Sequence, residues 1–236
     1  MIEILRNLYR MARVKVHIML GKQPDVPVTH KVPLEFHGND YCGWGLPVGF
    51  INDRSVIADV GVGEDISFST SLIAKFGCTV DGFDPTPRAK SHVAAVKEPK
   101  FRFHEFGLSD RTHNAEFYLP SNEGHVSGSL LSAGHLKGET LNVKLIDVAE
   151  LFRVLDTDWI DLLKIDIEGS EYDVIGSKSF ASHADKIGAV CLEFHHRWPE
   201  IGAQRTIDAV KTLAAHGFQC AWVSKATNEE FTFVRV

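Results

Sequence analysis

An α/β fold built on a seven-stranded, mostly parallel sheet with helices on both faces is predicted by three features of the sequence. From Asp53 onward, apolar runs of strand length alternate with helical segments, the pattern of parallel strands joined by crossover helices. One run, Val56-Ile57-Ala58-Asp59-Val60, ends in the turn Gly61-Val62-Gly63; glycines at a strand tip permit φ > 0 and close approach of the backbone to a ligand. The last two runs are joined across Ala226-Thr227-Asn228-Glu229, which predicts a hairpin and so an antiparallel final strand.

Taken in order, residues 2–20 combine Ile4, Leu5, Leu8, Met11, Ile18 and Leu20 with Arg6, Arg10, Arg13 and Lys15. This is a basic amphipathic helix, expected to pack its apolar face on the main domain as a cap in preference to a membrane surface or partner. Pro24, Pro27 and Pro33 punctuate an extended stretch that leads into an aromatic, glycine-rich loop from Asn39 to Gly45. Residues 1–52 therefore read as an N-terminal helical and extended cap, and residues 53–236 as the main domain. Strands are expected at 56–60, 79–83, 101–104, 161–166, 189–194, 218–223 and 231–236. Crossover helices are expected from Phe68 to Lys75, closing at Gly77, and from Gln204 to Ala215, closing at Gly217. Residues 122–137, rich in Ser, Gly and His, read as a loop, either a functional lid or a surface excursion.

Composition narrows the function classes. At 236 residues with 44% hydrophobic content the chain is long enough for one well-buried core. The net charge of −6 argues against a general nucleic-acid binder, and no nucleic-acid partner is expected. No apolar run approaches the length needed to span a bilayer, and the N-terminus lacks a signal-peptide pattern, so stable membrane insertion is not expected and a cytoplasmic location is. Cys42, Cys78, Cys191 and Cys220 show no C-x-x-C spacing, which predicts reduced thiols instead of a zinc site or disulfide framework. Oligomeric state is not readable.

The glycine turn is followed by Glu64 and Asp65, a poor setting for a pyrophosphate at a helix N-terminus, and the third glycine of a dinucleotide fingerprint is replaced by Ile66. S-adenosylmethionine has no phosphate and carries a sulfonium and an ammonium, so an acidic glycine loop suits it, with Asp59 placed to engage the methionine end. A nicotinamide-dependent dehydrogenase shares the architecture but conflicts with Ile66 and these acids. The second strand ends in Asp84, 25 residues after Asp59, where an acid accepts ribose hydroxyls; Asp81 lies inside the strand, and capping of the following helix is the competing role for Asp84.

The segment Asp161-Leu162-Leu163-Lys164-Ile165-Asp166-Ile167-Glu168-Gly169-Ser170-Glu171 is a buried strand that releases acids at its carboxyl end, where ligands of parallel sheets bind. Asp166 and Glu168, two apart, point to one side of an extended backbone. The next strand repeats the device with Glu193 and His195, followed by His196. These groups are candidates for acceptor contact. Asp166, Glu168 or His195 is a candidate general base, with His195 favoured by the ordinary imidazole pKa. The set Asp166, Glu168, Glu193 and His195 also has the chemistry to ligate a divalent cation, although metal is not expected. Tyr41, Trp44, His125, His135, His195, His196 and Trp198 are candidates to stack on a sugar or aromatic acceptor.

Ile57-Ala58-Asp59-Val60-Gly61, Gly107-Leu108-Ser109-Asp110 and above all Leu163-Lys164-Ile165-Asp166-Ile167-Glu168-Gly169-Ser170-Glu171 resemble the FkbM-type S-adenosylmethionine-dependent methyltransferases, over residues 40–236. The resemblance implies a class I methyltransferase (Rossmann-like) fold with strand order 3-2-1-4-5-7-6 and O-methylation of a hydroxylated small molecule or sugar. It implies that Asp59, Gly61 and Gly63 form the methionine-side loop, that Asp84 holds the ribose and that Gly107 and Leu108 lie near the adenine. Asp166 would sit between cofactor and acceptor, and Gly43-Trp44 would help cover the cofactor. The chain departs from the family pattern in having Gly63 and then Asp65, where Asn and a later Gly are common. That departure motivates the alternative of a cofactor-binding module or partner subunit without catalysis.

Overall fold

The computed structural model describes residues 2–118 and 140–236; the predicted loop at 122–137, with His125 and His135, lies outside them. The chain begins with α1 (Ile2–Met19), followed by a hairpin of β1 (Leu34–Gly38) and β2 (Gly43–Pro47). The alternating region then runs β3 (Ile57–Val60), α2 (Ser67–Phe76), β4 (Val80–Phe83), α3 (Pro87–Val96) and β5 (Phe101–His104). A small sheet follows, of β6 (Gly107–Leu108), β7 (His113–Tyr118) and β8 (Thr140–Ile146). The second half comprises α4 (Val148–Leu155), β9 (Ile160–Ile165), α5 (Glu171–Ile175), α6 (Lys178–Ala181) and β10 (Ile187–Glu193). It closes with α7 (Gly202–Ala215), β11 (Phe218–Val223) and β12 (Glu230–Arg235).

The main sheet has seven strands in the order β5-β4-β3-β9-β10-β12-β11. Strands β5, β4, β3, β9 and β10 are parallel, and β12 runs antiparallel to both β10 and β11. Renumbered along the sheet, this is the order 3-2-1-4-5-7-6, and each of the seven expected strands is present. The central strands are buried on both faces. Ala58, Val60, Leu163, Ile165, Val190 and Leu192 enter a core completed by α4, α5, α6 and α7. Their alternates Ile57, Leu162, Ala189 and Cys191 enter a second core completed by α2 and by Trp44 and Leu46 of β2. Two-sided burial is why these strands read as near-continuous apolar runs. Helix α2 ends as expected at Gly77, whose φ of +68° lets its N–H reach the Ile73 carbonyl. The four cysteines are buried and free. Among the described residues no helix is long and apolar enough to cross a membrane.

Two expectations are corrected. The segment read as an aromatic loop contains β2, in which Gly43 and Gly45 alternate with the buried Trp44 and Leu46. A Cβ on Gly43 would lie 2.5 Å from the Phe36 ring, and one on Gly45 2.7 Å from the Trp222 ring, so glycine here makes room for packed aromatics across a real strand. Helix α1 is formed as expected but packs only part of its apolar surface inward, with Met11 and Ile18 half-buried. Val14 is its one fully buried side chain among those described, while Leu5, Leu8, Tyr9, Val16 and Met19 face solvent.

Candidate functional site

The carboxyl ends of β3, β4, β9 and β10 open into a cavity of about 930 Å³, at the upper end of the range for small-molecule sites. Its wall includes Gly61, Gly63, Asp84, Gly107, Leu108, Asp166, Glu168 and Glu193, and on the side of α1, Arg10, Arg13, Val14 and His17. Of the sequence candidates, Asp59, Asp81, Trp44, His195, His196 and Trp198 are absent from that wall.

Gly61 sets the geometry. Its φ is +81°, its N–H donates to the Phe83 carbonyl at 2.9 Å, and a Cβ there would sit 1.5 Å from the Asp166 carbonyl oxygen. Only glycine lets the first turn pass this close to the end of β9. Beneath the turn lies a residue to which the sequence reading assigned no role, Lys164, 1% exposed. Its ammonium donates to the Gly61 carbonyl at 2.9 Å and lies 3.1 Å from Asp59 Oδ1 and 3.9 Å from Asp166 Oδ2. Burial favours loss of its proton, but the two carboxylates outweigh that and hold the ammonium charged. Asp59 is thereby consumed: its other oxygen accepts from Ser69 Oγ at 2.6 Å. It braces the loop from behind and is absent from the cavity wall on which it was expected.

Gly63 (φ +56°) faces open space, with no atom within 4 Å of where a Cβ would be. Its N–H donates to Asp84 Oδ2 at 2.9 Å, while Asp84 Oδ1 accepts from the Thr86 N–H (2.8 Å) and hydroxyl (2.6 Å). Thr86, not Asp84, caps α3, so Asp84 stays at the cavity wall with lone pairs to spare. Asp81 pairs with Arg102 (2.5 Å) and His104 (2.8 Å) away from the cavity. Gly107 is packed tightly enough that a Cβ would meet Leu145 at 2.5 Å, and with Leu108 it lines the apolar end.

The acidic end is formed by the turn after β9, which is not extended. Glu168 adopts φ +53° and Gly169 φ +96°. The fully buried Glu171 carboxylate holds this turn, accepting from the N–H groups of Ile167 (2.8 Å) and Gly169 (3.0 Å). The turn thus achieves the convergence that a straight strand was expected to supply. His195, 2% exposed, lies behind these acids: Nδ1 is 3.1 Å from Glu171, and Nε2 is 3.2 Å from Glu168, 3.9 Å from Asp166 and 4.0 Å from Glu193.

Burial alone would lower the His195 pKa, but Glu171 and Glu168 hold it well above the ordinary histidine range. An imidazole held protonated between carboxylates is poorly suited to take a proton near neutrality, which weighs against the expectation that His195 is the favoured base. Asp166 has the opposite character. Burial pushes it up to about 6, against the pull of Lys164 and His195, and burial raises Glu193 beside it. Asp166, Glu168 and His195 offer ligand atoms within 4.8 Å of one another, a set able to hold a divalent cation.

His196 and Trp44 are core residues, off the cavity wall on which they were expected. His196 is 2% exposed, lies 3.4 Å from Thr206 Oγ1 and is lowered to about 4 by burial. Trp44 is fully buried against Phe68, its indole N–H directed to the Leu192 carbonyl at 3.4 Å. The cavity instead gains Arg197 and Glu229, an ion pair at 3.1 Å that the sequence reading did not single out.

The wall fits S-adenosylmethionine by its chemistry. Open backbone at Gly63, an apolar end at Leu108 and an excess of carboxylates at the other end suit, respectively, close approach, an adenine ring and a sulfonium with its ammonium.

A family model described as the methyltransferase FkbM domain matches residues 55–220. No curated protein matches the chain. Similar solved structures include the Methanococcus jannaschii fibrillarin pre-rRNA processing protein, 14% identical with TM-score 0.48, covering 81% of this chain and 70% of that one. They also include a precorrin-6y C5,15-methyltransferase from Geobacter metallireducens GS-15 (13%, 0.42, covering 78% and 83%). A third is Aeropyrum pernix fibrillarin with natively bound S-adenosyl-L-methionine (10%, 0.43, covering 89% and 86%).

Proposed function

Since the chain belongs to the FkbM methyltransferase family, whose methyl donor is S-adenosylmethionine, we propose that it methylates a hydroxyl oxygen of a small molecule or sugar. The observation that carries this reading is the acidic cluster on the cavity wall, where Asp166, raised to about 6, stands with Glu168 and Glu193 against the Gly61 turn. The bound donor supplies an already activated methyl group. Asp84 accepts the ribose hydroxyls, and Gly61 and Gly63 admit the donor's methionine end to the backbone. The acceptor hydroxyl is held beside Asp166; as its oxygen forms the new C–O bond and the C–S bond breaks, Asp166 takes the proton. Lys164 and His195 act as positioning residues, fixing Asp166 and Glu168 without touching the acceptor. Alignment of the two reactants supplies much of the rate. An acidic cavity in a chain of net charge −6 favours a small acceptor over a nucleic acid.

The test is methyl transfer to a panel of hydroxylated acceptors, followed by mass spectrometry, with a pH profile. For the wild type, kcat/KM is expected to fall about tenfold per pH unit below about 6, as the free enzyme's Asp166 gains a proton. Asp166→Asn is expected to lose about 10²–10⁴-fold in rate while still binding the donor. A flat profile, or full activity in Asp166→Asn, overturns the base assignment. Donor binding without product across the panel favours the non-catalytic module. The family assignment answers the nicotinamide alternative.

A further inference from the structure

The geometry points to α1 as an interfacial helix that seats this protein on an anionic lipid surface. Leu5, Leu8, Tyr9, Val16, Met19 and the adjoining Leu20 are 46% to 78% exposed. At 3.6 residues per turn the five within the helix fall on one continuous stripe, with Ala12 between them. An amphipathic helix of a globular protein ordinarily turns such a stripe into the core. Here the stripe faces outward, while Val14 is buried and Met11, His17 and Ile18 are half-buried on the other side of the helix, and Arg10, Arg13, Val14 and His17 line the cavity. The chain after α1 is tied to the turn between β11 and β12 by Gln23 Nε2 to the Thr227 carbonyl (3.2 Å) and by Asn228 Nδ2 to the Pro24 carbonyl (2.9 Å).

Charge selects the occupant. The helix carries Arg6, Arg10, Arg13 and Lys15 against the one acid Glu3, in a chain that is otherwise net acidic. By helical periodicity Lys15 borders one edge of the stripe and Arg6 and Arg13 the other. A second copy seated on this stripe would bring cationic borders against cationic borders, since a two-fold contact pairs a surface with itself. Anionic headgroups neutralise both borders while the stripe enters the acyl boundary. The helix lies on the surface and does not cross it. Because its inner face is a cavity wall, binding would hold the cavity beside the lipid surface.

The test is co-sedimentation of the full chain with phosphatidylcholine vesicles, with and without phosphatidylglycerol. Binding is expected to the mixed vesicles, to weaken with added salt and to be slight on phosphatidylcholine alone. The double variant Leu8→Glu/Val16→Glu is expected to bind roughly tenfold more weakly or worse, with an unchanged unfolding midpoint, because both positions are exposed. Arg6→Glu/Lys15→Glu is expected to lose the preference for phosphatidylglycerol. A wild type that remains in the supernatant with the mixed vesicles overturns the inference, as does equal binding by Leu8→Glu/Val16→Glu. So does a wild-type dimer in solution that this variant dissociates, which would identify a second copy as the occupant. None of these outcomes depends on the acceptor or on methyl transfer.

Discussion

Gly61→Ala is expected to abolish donor binding and to destabilise the fold by about 3 kcal/mol or more. Two independent constraints meet at this residue. Its φ of +81° is costly for any residue with a Cβ, and that Cβ would overlap the Asp166 carbonyl oxygen at 1.5 Å. Relief requires the first turn to move off the end of β9, which also breaks the contact between the Lys164 ammonium and the Gly61 carbonyl. Gly63→Ala is the comparison. It has a similar backbone conformation but open space around the missing Cβ, so the expected cost is the conformational one, about 1–2 kcal/mol. Chemical denaturation and donor titration of the two variants separate clash from strain; equal effects would mean that the close approach to Asp166 does not govern the turn.

Lys164→Met is expected to cost about 3–5 kcal/mol, because it leaves Asp59 and Asp166 facing one another around an empty cationic position. Charge accounts for the cost more than size, since methionine fills much of the lysine's volume. Asp59→Asn in the same background should therefore recover part of the loss, a non-additivity that a double-mutant cycle measures. Without the ammonium, Asp166 also loses the influence that opposes its burial, and the acid limb of kcat/KM should move to higher pH. Additive losses, or an unmoved acid limb, would reduce Lys164 to a packing residue.

The sheet was legible because its strands are buried on both faces and punctuated by glycine and polar turns, a local signal. The hairpin of β1 and β2 was not, since the glycines that suggest a loop in Gly43-Trp44-Gly45 are demanded by Phe36 and Trp222, the latter far away in the chain. At the site, the cavity positions of Asp84, Asp166, Glu168 and Glu193 follow from strand ends and could be read. What each neighbour does to its charge could not. Asp59 looks free in sequence and is spent on Lys164, and His195 looks like a base and is held as a cation by Glu171 and Glu168. For α1, periodicity identifies which side chains share a face, but the direction that face turns depends on the cavity beneath it.

The central claim is most directly tested by calorimetric titration of the purified chain with S-adenosylmethionine and S-adenosylhomocysteine, in parallel with Asp84→Ala and with NADH as the control ligand. Saturable one-site binding of both sulfur ligands, weakened by Asp84→Ala, and no binding of NADH are expected. Absence of binding by either sulfur ligand, or binding of NADH in their place, would contradict the central claim.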